Sequence, residues 1–203
     1  LAKAIVFIRY PGQEGGRAVA DVLFGAESPS GKLPLTFPRS TDDLPPFTDY
    51  AMAGRTYRYA TAEPLYPFGF GLSYSCFAYA DLRLDRTTLA AGATLNATVT
   101  VTNIGAVEAE EVAQLYLRDL EATVPTPTQS LVGFRRVRLA PGQSAELSFT
   151  LTPTMLEVVD DDGARRIEPG VFRLTAGGCS PGERGLALGA PAPVSADFTV
   201  TPS

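Results

Sequence analysis

Positions 9 to 25 read RYPGQEGGRAVADVLFG, and here Tyr10, Gln13 and Glu14 set a ring, an amide and a carboxyl among the glycines Gly12, Gly15 and Gly16. A ring beside hydrogen-bonding groups is equipment for a small-molecule contact when the loop carrying it lines a cleft between domains. These three are the candidate substrate-binding residues. A glycine loop between a strand and a helix is also a place where phosphates bind. The spacing matches neither G-x-G-x-x-G nor the Gly-Lys-Ser/Thr ending of a phosphate loop, and Glu14 would repel an anion. A structural turn, with Glu14 at the positive end of a helix, is the simpler expectation.

Other chemistry is bounded by what the chain contains. The 203 residues include no histidine, so the commonest metal ligand and neutral-pH base are missing and acid–base work falls to carboxylates. Two cysteines, Cys76 and Cys179, are too few for a zinc site and too far apart for a C-x-x-C pair. Asp160-Asp161-Asp162-Gly163 lacks the alternate spacing and closing glutamate of a calcium loop and reads as a hairpin turn. No cofactor and no metal is implied. Arg136 and Arg138, next to Arg135, alternate with Val137 and Leu139 and belong on a solvated face. With 17 basic against 22 acidic residues, nucleic acid and anionic lipid are not expected partners. No apolar run approaches the roughly 18 residues of a membrane span. The opening Leu1-Ala2-Lys3 is neither a signal peptide nor a starting methionine, so the true N-terminus is expected upstream.

The elements that must position these residues fall into two unlike parts. Ala4 to Ile8 is an unbroken apolar run of the kind found in parallel strands covered on both faces. Ala18, Val19, Val22 and Leu23 recur at helical spacing, with Gly25 placed to close the helix in a left-handed cap. SPSGKLPLTFP then supplies a turn and a proline-interrupted edge strand. One strand, one helix and one edge cannot complete an α/β layer, so residues 1–40 are expected to be the closing piece of an α/β domain. Residues 41–76, rich in proline, glycine and aromatics, read as a linker held by its rings against a domain surface, most simply the α/β domain.

From residue 77 the apolar period becomes two. Ala80/Leu82/Leu84, Leu95/Ala97/Val99/Val101, Ala113/Leu115/Leu117, Val137/Leu139, Leu147/Phe149/Leu151, Phe172/Leu174/Ala176 and Phe198/Val200 alternate with polar neighbours, and turn residues stand between them. Seven strands over residues 77–203 fit an immunoglobulin or fibronectin type III-like β-sandwich. Counting strand directions puts Cys76 and Cys179 at the same end, which leaves a disulfide or two free thiols open. Tyr116 is the one sandwich ring that alternation places clearly outward.

YPGQEGGRAVADVLFG, SPSGKLPLTFP, GRTYRY and PLYPFGFGLSYS, in this order and at this spacing, resemble glycoside hydrolase family 3. VAQLYLRD, VPTPTQSLVGFRRVRLAPGQS and IEPGVFRLTAGGCSP resemble the fibronectin type III-like domain that closes many of its members. The resemblance implies the C-terminal part of a retaining exo-β-glycosidase of the bacterial β-glucosidase or β-xylosidase type, acting on terminal β-D-glucosyl or β-D-xylosyl residues with two carboxyl groups. Its family nucleophile is an aspartate of a TIM-like barrel and its acid/base a glutamate of the α/β domain before the glycine loop. Neither motif matches a position here, so no catalytic residue is carried over, and the chain alone is expected to be inactive. The implied partners are an upstream TIM-like barrel, the remainder of the α/β domain and an oligo- or aryl-glycoside; the implied location is secreted or periplasmic. Two other readings stand beside it: a carbohydrate-binding or adhesion module, since sandwiches host many functions, and a split assembly in which a partner chain completes the sheet.

Overall fold

The computed structural model describes residues 3–160 and 162–202. Its order is α1 (Gly15–Leu23), α2 (Thr56–Tyr59), β1 (Phe77–Leu84), β2 (Thr88–Ala90), β3 (Leu95–Asn103), β4 (Ala109–Asp119), β5 (Ser130–Leu139), β6 (Ser144–Leu151), β7 (Glu157–Val159), β8 (Arg165–Ile167), β9 (Gly170–Gly177), α3 (Glu183–Ala187) and β10 (Val194–Thr201). All seven expected strands are present, joined by the short β2, β7 and β8.

A three-stranded sheet β1-β3-β6 faces a five-stranded sheet β2-β10-β9-β4-β5, and β7-β8 form a separate hairpin. Every pairing is antiparallel except that of β2 with β10. Period-two alternation fills the space between the sheets: Leu95, Ala97, Val99 and Val101 of β3 meet Ala113, Leu115, Phe172 and Leu174 from the other sheet in one core. Phe172 and Phe198 lie directly opposite across β9 and β10 and stack with centroids 5.5 Å apart.

On β1 the inward face differs from the expected Ala80/Leu82/Leu84. Phe77 and Tyr79 are buried while Ala80 is exposed. The register with β3 shifts between Ala80 and Arg83, and Asp81 takes φ +52 there. A bulge inserts a residue and turns the strand over, so Phe77 and Tyr79 point inward before it and Leu82 and Leu84 pack on the core after it.

The front of the chain departs further. Ala4 to Ile8 forms no strand, and Ile5, Val6, Phe7 and Ile8 are all exposed. Strand hydrogen bonds require a neighbouring strand, and among the described residues none pairs with this segment. The SPSGKLPLTFP segment pairs not with an α/β sheet but with the end of the linker: Leu33 N–H donates to Phe70 O (2.9 Å), Gly69 N–H to Leu33 O (2.7 Å) and Phe37 N–H to Tyr66 O (2.9 Å). The helix forms where its pattern predicts, although none of Ala18, Val19, Val22 and Leu23 is buried. Gly15 lies so close to Pro11 that a Cβ would come within 2.4 Å of it, and α1 ends at Gly25, φ +78, whose N–H reaches Val22 O.

Candidate functional site

Tyr10, Gln13 and Glu14 share the turn that leads into α1, and all three are exposed; Tyr10 is wholly open to solvent. Glu14 occupies the N-cap position with no side-chain bond to the helix, beside its positive end as the sequence suggests. A groove nearby, between the end of α1 and the sandwich, is walled by Glu27, Ser28, Tyr74, Glu108 and Arg138 and takes nothing from these three. The turn presents groups; the described residues do not enclose a substrate with them.

A buried polar network lies elsewhere, where residues 28–76 meet the sandwich. Lys32 Nζ sits 3.1 Å from Glu111 Oε2 and donates to Gly71 O at 2.9 Å. Both side chains of the pair are nearly closed off from solvent. Tyr79 donates its hydroxyl to Glu111 Oε1 at 2.8 Å; burial, and then the adjacent Glu111 carboxylate, push the phenol well above its usual range. Gln114 donates to Gly69 O (3.0 Å) and Gly178 O (2.7 Å), and its Oε1 accepts from Tyr116 (2.6 Å). Gly69 must be glycine twice over, since its φ is +77 and a Cβ would stand 2.0 Å from Gln114 Oε1.

Tyr116 does point away from the core, as alternation predicts, yet it is buried. Tyr57 of α2 covers it edge-on at 6.0 Å, stacks on Phe68 at 4.1 Å and accepts the Leu131 N–H. So the linker rings pack on the sandwich at this point, where the α/β piece was the expected surface. Phe47 and Tyr50, by contrast, stay exposed. Cys76 and Cys179 are both free thiols, the first exposed and the second buried. Cys179 Sγ faces Gly185, where a Cβ would come within 2.6 Å, and burial pushes its thiol up to about 11. Arg136 and Arg138 lie on the solvated face, paired with Glu110 and Glu108. The Asp160–Gly163 turn joins β7 to β8 through Gly163 N–H to Asp160 O, with Asp161 itself outside the described residues.

Two family descriptions match the chain: "Glycosyl hydrolase family 3 C-terminal domain" over residues 1–74 and "Fibronectin type III-like domain" over residues 111–180. This chain belongs to glycoside hydrolase family 3. It is 40% identical over 176 residues to a β-xylosidase of Formosa agariphila, covering 84% of this chain and 24% of that protein. It is 43% identical over 175 residues to a xylan 1,4-β-xylosidase of Xylanibacter ruminicola, covering 86% and 20%. A solved β-glucosidase from Erythrobacter marinus superposes with TM-score 0.79 at 35% identity, covering 95% of this chain and 24% of that one. The chain thus spans about a quarter of the length of the relatives it matches.

The family stretch PLYPFGFGLSYS now has a physical account. Phe68 and Phe70 stack on Tyr57 and Tyr66, Gly69 and Gly71 lend carbonyls to Gln114 and Lys32, and Ser75 donates to the buried Asn103 at 2.6 Å. Composition and motif spacing single out neither Lys32 nor Glu111. One signal was available: Glu111 has the inward parity of Ala113, Leu115 and Leu117, and a carboxylate on a core face demands a partner.

Proposed function

We propose that the chain is the C-terminal region of a retaining exo-β-glycosidase that removes terminal β-D-glucosyl or β-D-xylosyl residues. Its aspartate nucleophile and glutamate acid/base would lie outside these residues, on a TIM-like barrel and the remainder of the α/β domain. The chain's own role is to support and shape the cleft, with Tyr10, Gln13 and Glu14 contributing to its wall. The observation that carries this reading is the span of the match: the chain aligns with only about a quarter of the length of β-xylosidase and β-glucosidase relatives. The buried carboxylates among the described residues, Glu111 and Glu168, are both taken by structural partners. Glu111 is held by Lys32 and Tyr79, and Glu168 accepts from the Thr123 N–H and hydroxyl and from Arg166. A retaining pair must be free to attack the anomeric carbon and to protonate the leaving oxygen; carboxylates saturated by structural donors serve neither task.

The relatives' names, β-xylosidase and β-glucosidase, support the substrate class. The alternative of a carbohydrate-binding module loses its best ring, since Tyr116 lies under Tyr57. The test is direct. The purified 203-residue chain is expected to show no turnover of aryl β-glucosides or β-xylosides, while a protein extended upstream through the barrel hydrolyses one or both. Measurable turnover by the chain alone, free of contaminating enzyme, would falsify the assignment.

A further inference from the structure

We infer that residues 28–76 and the β-sandwich open and close as one cooperative unit, latched by the Lys32–Glu111 pair, so that the sandwich is not a separable appendage. Three contacts carry this. First, the latch crosses between the parts: Lys32 belongs to the segment before the linker, Glu111 to β4, and Gly71 at the linker's end accepts the same ammonium. Removing one partner of a buried pair strands a charge away from water, among the most disruptive single changes a fold can suffer. Second, β4 is buried on both faces. Ala113, Leu115 and Leu117 face the core, while Gln114 and Tyr116, on the other side, are covered by Gly69 and Tyr57. If residues 57–71 lifted off, Gln114 would lose the Gly69 acceptor and Tyr116 its covering ring. Third, backbone bonds stitch the same surfaces together: Ser180 N–H donates to Phe68 O at 2.9 Å and Thr128 N–H to Arg58 O at 2.7 Å.

The same interface reaches the C-terminal end of α1. Tyr74 donates its hydroxyl to Val22 O at 2.7 Å and its N–H to Ser28 Oγ at 3.0 Å, tying the end of α1 to the linker that the sandwich holds. The orientation of α1 is therefore set from the sandwich side.

Native-state hydrogen exchange on the whole 203-residue chain tests the inference, because a cooperative unit shares one opening equilibrium. The Leu33, Phe37, Gly69 and Ser180 amides are expected to exchange with the same protection as the slowest amides of β4 and β9. Lys32→Met should lower protection in both sets by the same factor, about 100-fold or more. Adding Glu111→Gln to it should restore most of the loss, the signature of a coupled pair. Tyr57→Phe, which keeps the ring and removes only the acceptor of the Leu131 N–H, is the gentler variant. It should accelerate both sets together by about five- to tenfold. Exchange of the Leu33 and Gly69 amides as an independent loop, with β4 and β9 unchanged in either variant, would overturn the proposal.

Discussion

Ala4 to Ile8 and β3 carry comparable apolar side chains, yet they end in opposite states. In β3, Leu95, Val99 and Val101 are fully buried, and the strand is hydrogen-bonded to β1 on one side and β6 on the other. In the front segment, Ile5 is 71% and Phe7 54% exposed, and the backbone is paired with no described strand. Its Phe7 ring meets Phe37 edge-on at 5.9 Å and lies under the Arg9 guanidinium at 6.0 Å. The difference teaches that apolar residues supply only the material of a strand. Its order comes from neighbours on either edge and from a facing sheet. The same lesson reads in reverse on β4, where Tyr116 and Gln114, polar enough for a solvated face, are buried because another segment lies over them.

Truncation inside the sandwich should give the largest contrast. Phe172→Ala removes a ring that is 2% exposed and stacked on Phe198, at an expected cost of about 3–5 kcal/mol. A urea midpoint followed by circular dichroism, unchanged from the parent, would break the comparison at its stronger end. An intermediate, pH-dependent effect belongs to Glu168. The Thr123 hydroxyl and N–H, and then Arg166, hold its carboxyl below the usual range. Its stabilisation is thus present above the unfolded carboxylate range, about pH 4.3, and lost as pH falls through the lower folded value. Nearby Asp119 is held up by burial and by the Glu168 charge, and acts with the opposite sign. Comparing the parent with Glu168→Gln from pH 6 to pH 3 isolates the first contribution: the gap in unfolding midpoint should be widest near pH 6 and narrow on acidification. A gap that widens toward pH 3 would mean the cluster is not ionised as drawn. The smallest effect is expected from Phe7→Ala in this chain, less than about 1 kcal/mol, because the ring is half open to water. A loss of several kcal/mol in the same denaturation assay would show the front segment to be as well packed as β3.

How much of this could be read in advance varies element by element. The alternation Leu95/Ala97/Val99/Val101 marks β3 and its buried face, because side chains on a strand leave it in strict alternation. Gly25 marks the end of α1, because a left-handed cap suits glycine. Of the β1 face, Leu82 and Leu84 were read correctly and only Ala80 was misplaced, since a bulge at Asp81 leaves no trace in hydropathy. The thiols of Cys76 and Cys179 share an end of the sandwich by strand counting, yet one faces solvent and the other Gly185, a matter of side-chain direction rather than topology. Tyr10, Gln13 and Glu14 were legible as neighbours on a turn. What they would face is not determined by their order.

Periodicity and turn chemistry are local properties, so the amino-acid order by itself determined the sandwich strands, the helix and the family resemblance. The pairing of Lys32 with Glu111, 79 positions apart, and the burial of Tyr116 under Tyr57 were decided only by the tertiary structure. Such contacts form between segments whose separation along the chain carries no record of their meeting, and a charge or ring becomes buried only when a distant surface arrives to exclude water from it.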